Sequence, residues 1–142
     1  MTQTNTAIQN LLVIDSQVTD WQSLAAGAGA DTAILILDSG ADGLTQISDY
    51  LSNATTQGLS LLQSIQIISH GSAGSLQLGS STITKSNLGL YTKQLAKIGS
   101  SLTDTGDILL YGCNVAAGQS GLDLINQLSV LTNADVAASN DT

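Results

Sequence analysis

The chain has 142 residues, enough for one domain with a conventional core, and its hydrophobic content of 42% is ordinary for a globular protein. Its net charge of −8 argues against nucleic acid or an anionic membrane as a partner, because contacts with phosphate need Lys and Arg and the chain has only three such residues. No stretch approaches the ~18 consecutive apolar residues that a membrane span needs, so we expect no membrane insertion.

Five apolar runs typical of strands alternate with four segments whose apolar residues have helical spacing. The predicted strands are Leu11–Asp15, Ala33–Leu37, Ile65–Ser69, Ile108–Tyr111 and Ala134–Ala138. The helical stripes are Val18, Trp21 and Leu24; Leu44, Ile47, Leu51 and Ala54; Leu88, Tyr91, Leu95 and Ile98; and Leu122, Ile125, Leu128 and Leu131. Between the third strand and the third helix, Ser75–Gly79 and Ser80–Thr84 alternate apolar and polar residues around a Gly-Ser turn, which predicts a small β-hairpin.

Polar residues at the helix starts predict the caps. Thr19 and Gln22 have the spacing of a capping box before the first helix. Asp42 is the expected N-cap of the second helix, and Ser86 is expected to open the third.

This alternation predicts an α/β fold with a mostly parallel sheet and helices on both faces, in a single domain over residues 1–142. Right-handed crossovers favour a doubly wound, flavodoxin-like sheet with strand order of about 2-1-3-4-5. In that order the third and fourth strands are neighbours. Residues that follow these two strands would then share the edge of the sheet where parallel strands end, which is where ligands bind in open α/β sheets.

One histidine and one cysteine follow those two strands. His70 lies in the polar turn Ser69–Gly74, and Cys113 precedes a Gly-containing segment and the last predicted helix. They are the only side chain that titrates near neutrality and the only strong nucleophile, so a Cys–His hydrolase is the leading hypothesis. Gly71 leaves a backbone N–H near the pair, suited to an oxyanion. The alternatives are a structural hydrogen-bonding role for His70 and a core position for Cys113.

Two carboxylates belong to the same edge, because Asp15 and Asp38 end the first and second strands. Either could receive a Lys or Arg side chain of a substrate, or could cap a turn. The ligand spacing after Asp38 is too sparse for a calcium loop, so we expect no metal. No strand is followed by phosphate-binding glycine spacing and aromatic residues are scarce, so we expect no cofactor.

Two motifs carry a resemblance to a known family. Residues 67–79 read IISHGSAGSLQLG, and residues 107–118 read DILLYGCNVAAG. A strand ending in Ser-His-Gly together with one ending in Gly-Cys resembles the caspase-like (clan CD) cysteine peptidases. The whole chain, including Leu12–Asp15 and Leu131–Ser139, is similar to an uncharacterised domain near the N-terminus of giant bacterial surface proteins, which carry cadherin-like, immunoglobulin-like or calcium-binding repeats.

The resemblance implies a caspase-like fold and a cysteine endopeptidase. His70 would be the general base or acid and Cys113 the nucleophile, and the backbone N–H groups of Gly71 and Cys113 would hold the oxyanion. It further implies substrate contacts from Asp15, Tyr111 and Ser139, although Tyr111 equally suits a packing role.

The implied substrate is a polypeptide, namely the parent chain, by analogy with the self-cleaving domains of bacterial toxins. The implied location is the bacterial surface or the secreted fraction, as part of a larger chain, although the N-terminus has no classical signal peptide. Family members continue past Ser139, so we expect a domain truncated at its C-terminus. The alternative function is a non-catalytic caspase-like module that binds or anchors within a large adhesin.

Overall fold

A five-stranded parallel sheet forms the centre of the computed structural model, which describes residues 8–29, 31–56, 61–111, 115 and 118–138. Its strands are β1 (Asn10–Asp15), β2 (Thr32–Leu37), β3 (Leu62–Ile68), β7 (Leu102–Tyr111) and β8 (Asp135–Ala138). Three antiparallel strands, β4 (Gly71–Ser72), β5 (Ser75–Leu78) and β6 (Ser81–Thr84), form a second, smaller sheet. The helices are α1 (Trp21–Ala26), α2 (Gly43–Thr56), α3 (Thr92–Ser100) and α4 (Gly118–Thr132).

The strand order of the large sheet is β2-β1-β3-β7-β8, and every neighbouring pair in it is parallel. This confirms the predicted doubly wound order, with the chain winding first to one side of β1 and then to the other. The predicted hairpin is also confirmed, and β4 extends it by a third strand.

The core lies between the large sheet and helices α2, α3 and α4. Alternate residues of the strands face these helices, as the period of two in a strand requires. The strands contribute Leu11, Val13, Ile65, Ile67, Ile108 and Leu110, and the helices contribute Leu44, Ile47, Leu95, Ile98, Leu124 and Leu128. The short helix α1 adds no side chain to this buried cluster and contacts β1, whose intervening residues Leu12 and Ile14 are also buried.

The small sheet contacts the start of α2 through its β5–β6 turn. Gly79, in this turn, has a positive φ of 61° and forms an isolated bridge with Asp42. A Cβ on Gly79 would lie 2.1 Å from the carbonyl oxygen of Ala41, so only glycine fits there. The backbone N–H of Ser80 donates to the same Ala41 carbonyl at 2.8 Å.

Two predicted helix starts are wrong. Asp20, rather than Thr19, is the N-cap of α1; it has a left-handed backbone (φ 65°) and makes no side-chain cap bond, so the capping box of Thr19 and Gln22 does not form. A 3-10 turn over Leu88–Tyr91 precedes α3, and Ser86 lies in the loop before it. The spacing of Leu88 and Tyr91 did not distinguish this turn from an α-helix, because residues three positions apart lie on the same side of both structures.

The predicted N-cap of α2 is confirmed. The Oδ2 atom of Asp42 accepts the backbone N–H of Thr45 at 3.0 Å, and Ser81 donates its hydroxyl to Oδ1. Burial alone would raise the pKa of the Asp42 carboxyl, but the hydrogen bonds from Ser81 and Thr45 outweigh it and hold this pKa below its usual value.

The Asp42 carboxylate therefore adds stability above the ordinary Asp pKa of about 3.9, and this contribution is lost as the pH falls through the lower pKa of the folded state. The free energy of unfolding of the wild-type protein is therefore expected to fall between about pH 5 and pH 2, and we expect this fall to be smaller in Asp42→Asn. Urea denaturation at several pH values measures this. The control is Asp104→Asn, on an exposed carboxylate at the start of β7, and an equal pH dependence in both variants would contradict the prediction.

Candidate active site

The strands that precede His70 and Cys113 are direct neighbours. Strand β3 pairs with β7 in register from Ile65 opposite Ile108 to Ile68 opposite Tyr111. Beyond that pair, the backbone N–H of Ser69 donates to the carbonyl of Tyr111 at 3.0 Å. The predicted adjacency of the two strands is thus confirmed.

The sequence spacing beyond that register is symmetrical. His70 is two residues past Ile68, and Cys113 is two residues past Tyr111. Cys113 lies outside the described residues, as does Ser139. The convergence of the thiol and the imidazole, and the substrate contact of Ser139, therefore stay predictions.

The His70 side chain is exposed, and one of its ring nitrogens has a definite partner. Its Nε2 atom lies 3.1 Å from the backbone carbonyl oxygen of Gln17, in the turn that follows β1. A carbonyl oxygen only accepts, so we assign the proton of the neutral ring to Nε2. The Nδ1 atom of the same ring then carries a lone pair and can accept a proton.

The carboxylate of Asp15 lies inside the turn between β1 and α1. Its side chain is 0% exposed; Oδ1 accepts the backbone N–H of Gln17 at 2.9 Å, and Oδ2 accepts that of Gly79 at 2.9 Å. These are the contacts of the turn-capping alternative. A substrate contact by Asp15 stays a prediction, and because the residue is fully buried, it would require the surrounding turns to move.

Gly71, directly after His70, lies where the backbone passes close to Ser75 and Val115. A Cβ at this position would lie 2.8 Å from the Ser75 carbonyl oxygen and 3.1 Å from Val115 Cγ2. The buried Val115 also accepts the backbone N–H of Gly74 at 3.1 Å. The turn after His70 is therefore packed against a residue only two positions beyond Cys113 in the chain.

Tyr111 and Asp38 are both exposed at this edge. Tyr111, the last residue of β7, has 43% of its surface exposed, which leaves its ring accessible. Asp38 follows β2, and its Oδ1 atom accepts the backbone N–H of Gly40 at 2.9 Å, as expected for a turn residue.

A groove of about 530 Å³ adjoins the turn after His70. It is lined by Ala73, Gly74, Ser75, Thr84, Lys85, Ser86, Ser120 and Asp123. The Nζ atom of Lys85 lies 3.7 Å from Oδ2 of Asp123, and the Lys85 side chain is 61% exposed. The groove thus combines small hydroxyl side chains with a partly exposed ion pair.

Sequence reasoning missed the part that Gln17 plays. Its contribution to His70 is a backbone carbonyl, which every residue carries, so no residue type could have indicated it. Gly79 was identified only as a hairpin turn residue, and its bond to Asp15 depends on a contact across 64 positions of the chain.

A family model described as "Domain of unknown function (DUF4347)" matches residues 11–142. No curated protein and no solved structure shows a significant match to the chain. Within the described ranges, no helix is long and apolar enough to cross a bilayer, and no three His, Cys, Asp or Glu side chains are grouped so as to hold a metal ion.

Proposed function

The chain belongs to the DUF4347 family of domains of unknown function, and for this member we propose a caspase-like cysteine endopeptidase activity that processes the parent polypeptide of a bacterial surface or secreted protein. Cys113 is the nucleophile and His70 is the general base. The observation that carries the proposal is the hydrogen bond from His70 Nε2 to the Gln17 carbonyl, because it leaves Nδ1 free to accept the thiol proton.

The reaction follows from these roles. The Cys113 thiol passes its proton to Nδ1 of His70, and the thiolate attacks the scissile carbonyl carbon, whose π electrons move to the oxygen. The backbone N–H groups of Gly71 and Cys113 bind the resulting oxyanion. When the carbonyl reforms, the C–N bond breaks and the leaving amine takes the proton from His70. Water, deprotonated by His70, then hydrolyses the thioester and restores the thiol.

Two features of the described residues support a polypeptide substrate. The groove at Lys85 and Asp123 adjoins the turn that follows His70, and its hydroxyl groups and ion pair suit a polar, extended segment. The exposed ring of Tyr111 lies at the end of the strand that leads to Cys113 and offers an apolar surface to a substrate side chain. The parent chain as substrate follows from the resemblance to self-cleaving domains.

The reactivity of the thiol tests this proposal. An imidazole that takes the proton of a nearby thiol becomes a cation that stabilises the thiolate, so we expect iodoacetamide to alkylate Cys113 at pH 6 about 10-fold faster than an ordinary exposed cysteine. Mass spectrometry of the intact protein follows the reaction, since Cys113 is the only cysteine. The matched control is Thr105→Cys in a Cys113→Ala background, which places one thiol at an exposed position near the start of β7, at the end of that strand away from His70.

A rate for Cys113 equal to or below that of the control would count against the peptidase. It would favour the alternative, a non-catalytic module that binds or anchors within a large adhesin.

A further inference from the structure

We propose that Asp15 is the residue that positions His70. Its buried carboxylate joins the turn after β1 to the β5–β6 turn, and the first of these turns presents the carbonyl that holds the His70 ring. The catalytic meaning of this arrangement rests on the proposed function; the positioning itself does not.

The Asp15 carboxylate joins two segments that no local interaction would bring together. Its Oδ1 atom accepts from Gln17, two residues away, and its Oδ2 atom accepts from Gly79, 64 residues away, each at 2.9 Å. Hydrogen bonds to an ionised group are about twice as strong as neutral ones. The backbone of Asp15 is itself fixed, because the residue ends strand β1, which is paired with both β2 and β3, and lies opposite Leu37 of β2.

The two joined segments hold His70 from two directions. The Gln17 carbonyl accepts from the His70 ring, and the Gln17 side-chain amide donates to the carbonyl of Gly79 at 3.0 Å. The backbone N–H of Gln77 donates to the His70 carbonyl at 2.8 Å, while its side-chain amide donates to the Gly79 carbonyl at 3.0 Å. A shift of the Gly79 turn relative to Gln17 would therefore move both the ring and the backbone contacts of His70.

Position 15 requires a carboxylate side chain. Both partners of Asp15 are backbone N–H donors, so the side chain must accept on each of its two terminal atoms. An asparagine has the same shape but only one acceptor oxygen, and its NH₂ group would face a second donor. Asp15→Asn is thus expected to release either Gln17 or Gly79 with little change in volume.

The test reads the protonation of the His70 ring by NMR. Because His70 is the only histidine, ¹⁵N-labelled histidine reports on it alone. In the Cys113→Ala protein at pH 8, we expect a single tautomer with the proton on Nε2, in contrast to the averaged signals of two exchanging tautomers that a free imidazole gives. Adding Asp15→Asn is expected to give averaged or mixed ring signals, whereas adding Asp104→Asn, on an exposed carboxylate, leaves them unchanged. Unchanged signals in a folded Asp15→Asn protein would overturn the proposal.

If Asp15→Asn does not fold, a second variant tests whether Asp15 or the Gln17 side chain positions His70. Gln17→Ala removes the amide donated to Gly79 but keeps the carbonyl and both bonds to Asp15. If Asp15 positions His70, this variant retains the Nε2 tautomer. Loss of the tautomer would assign the positioning to the Gln17 side chain and overturn the inference.

The rate of self-processing separates this inference from the proposed function. If the domain is a peptidase, Asp15→Asn is expected to slow processing by roughly 10–100-fold with Cys113 intact, since small misplacements of a catalytic group cost about that much. If the wild-type protein does not process itself but the tautomer still depends on Asp15, the peptidase proposal fails and the positioning role stands.

Discussion

Replacing His70 with glutamine is expected to slow self-processing by roughly 10²–10⁴-fold, the usual contribution of a general base. Glutamine can still donate to the Gln17 carbonyl that His70 Nε2 reaches at 3.1 Å, so the hydrogen bond to the turn after β1 has a replacement. It has no nitrogen lone pair to accept the proton of Cys113. The measurement is the rate at which a longer polypeptide containing this domain yields a new N-terminus, identified by mass spectrometry.

Two controls make the His70 result specific. Cys113→Ala, which removes the nucleophile, defines complete loss of processing, and Thr105→Ala, at an exposed position near the start of β7, is expected to process at the wild-type rate. Thermal unfolding of all three variants checks the fold. A folded His70→Gln protein that processes as fast as wild type would remove His70 from the mechanism.

The largest effect on stability is expected for Gly99→Ala, at the contact between α3 and α4. A Cβ at Gly99 would lie 1.8 Å from the backbone carbonyl oxygen of Thr132, the last residue of α4. Forcing atoms into packed space costs about 1–3 kcal/mol and sometimes more, while the helix propensity of alanine returns about 1 kcal/mol. Because the obstructing atom belongs to the backbone, we expect a net loss of about 2 kcal/mol or more in the free energy of unfolding.

Urea denaturation of Gly99→Ala measures this loss, and Gly89→Ala is the matched control. Gly89 lies in the 3-10 turn before α3, and a Cβ there would meet no atom within 4 Å. Its free energy of unfolding is expected to change by at most about 0.5 kcal/mol. Equal stabilities of the two variants would show that α3 and α4 separate at little cost.

The sequence by itself determined the order of the elements and the order of the strands. Continuous aliphatic runs such as residues 11–14 occur in strands buried on both faces, and right-handed crossovers leave few topologies for alternating strands and helices. The helix starts were less predictable. Thr19 and Gln22 have the spacing of a capping box, but the left-handed backbone of Asp20 shifts the start of α1 by one residue.

Only the tertiary structure decided how the edge of the sheet beside His70 is built. From the sequence, Asp15 could be a turn residue or a substrate-binding acid, and its two backbone donors, one of them 64 positions away, became visible only with the fold. His70 likewise meets its partner, the carbonyl of Gln17, across 53 positions of the chain. Hydrogen bonds of this kind depend on where backbone groups lie after folding, and residue type, which is all that a single sequence records, does not specify that position.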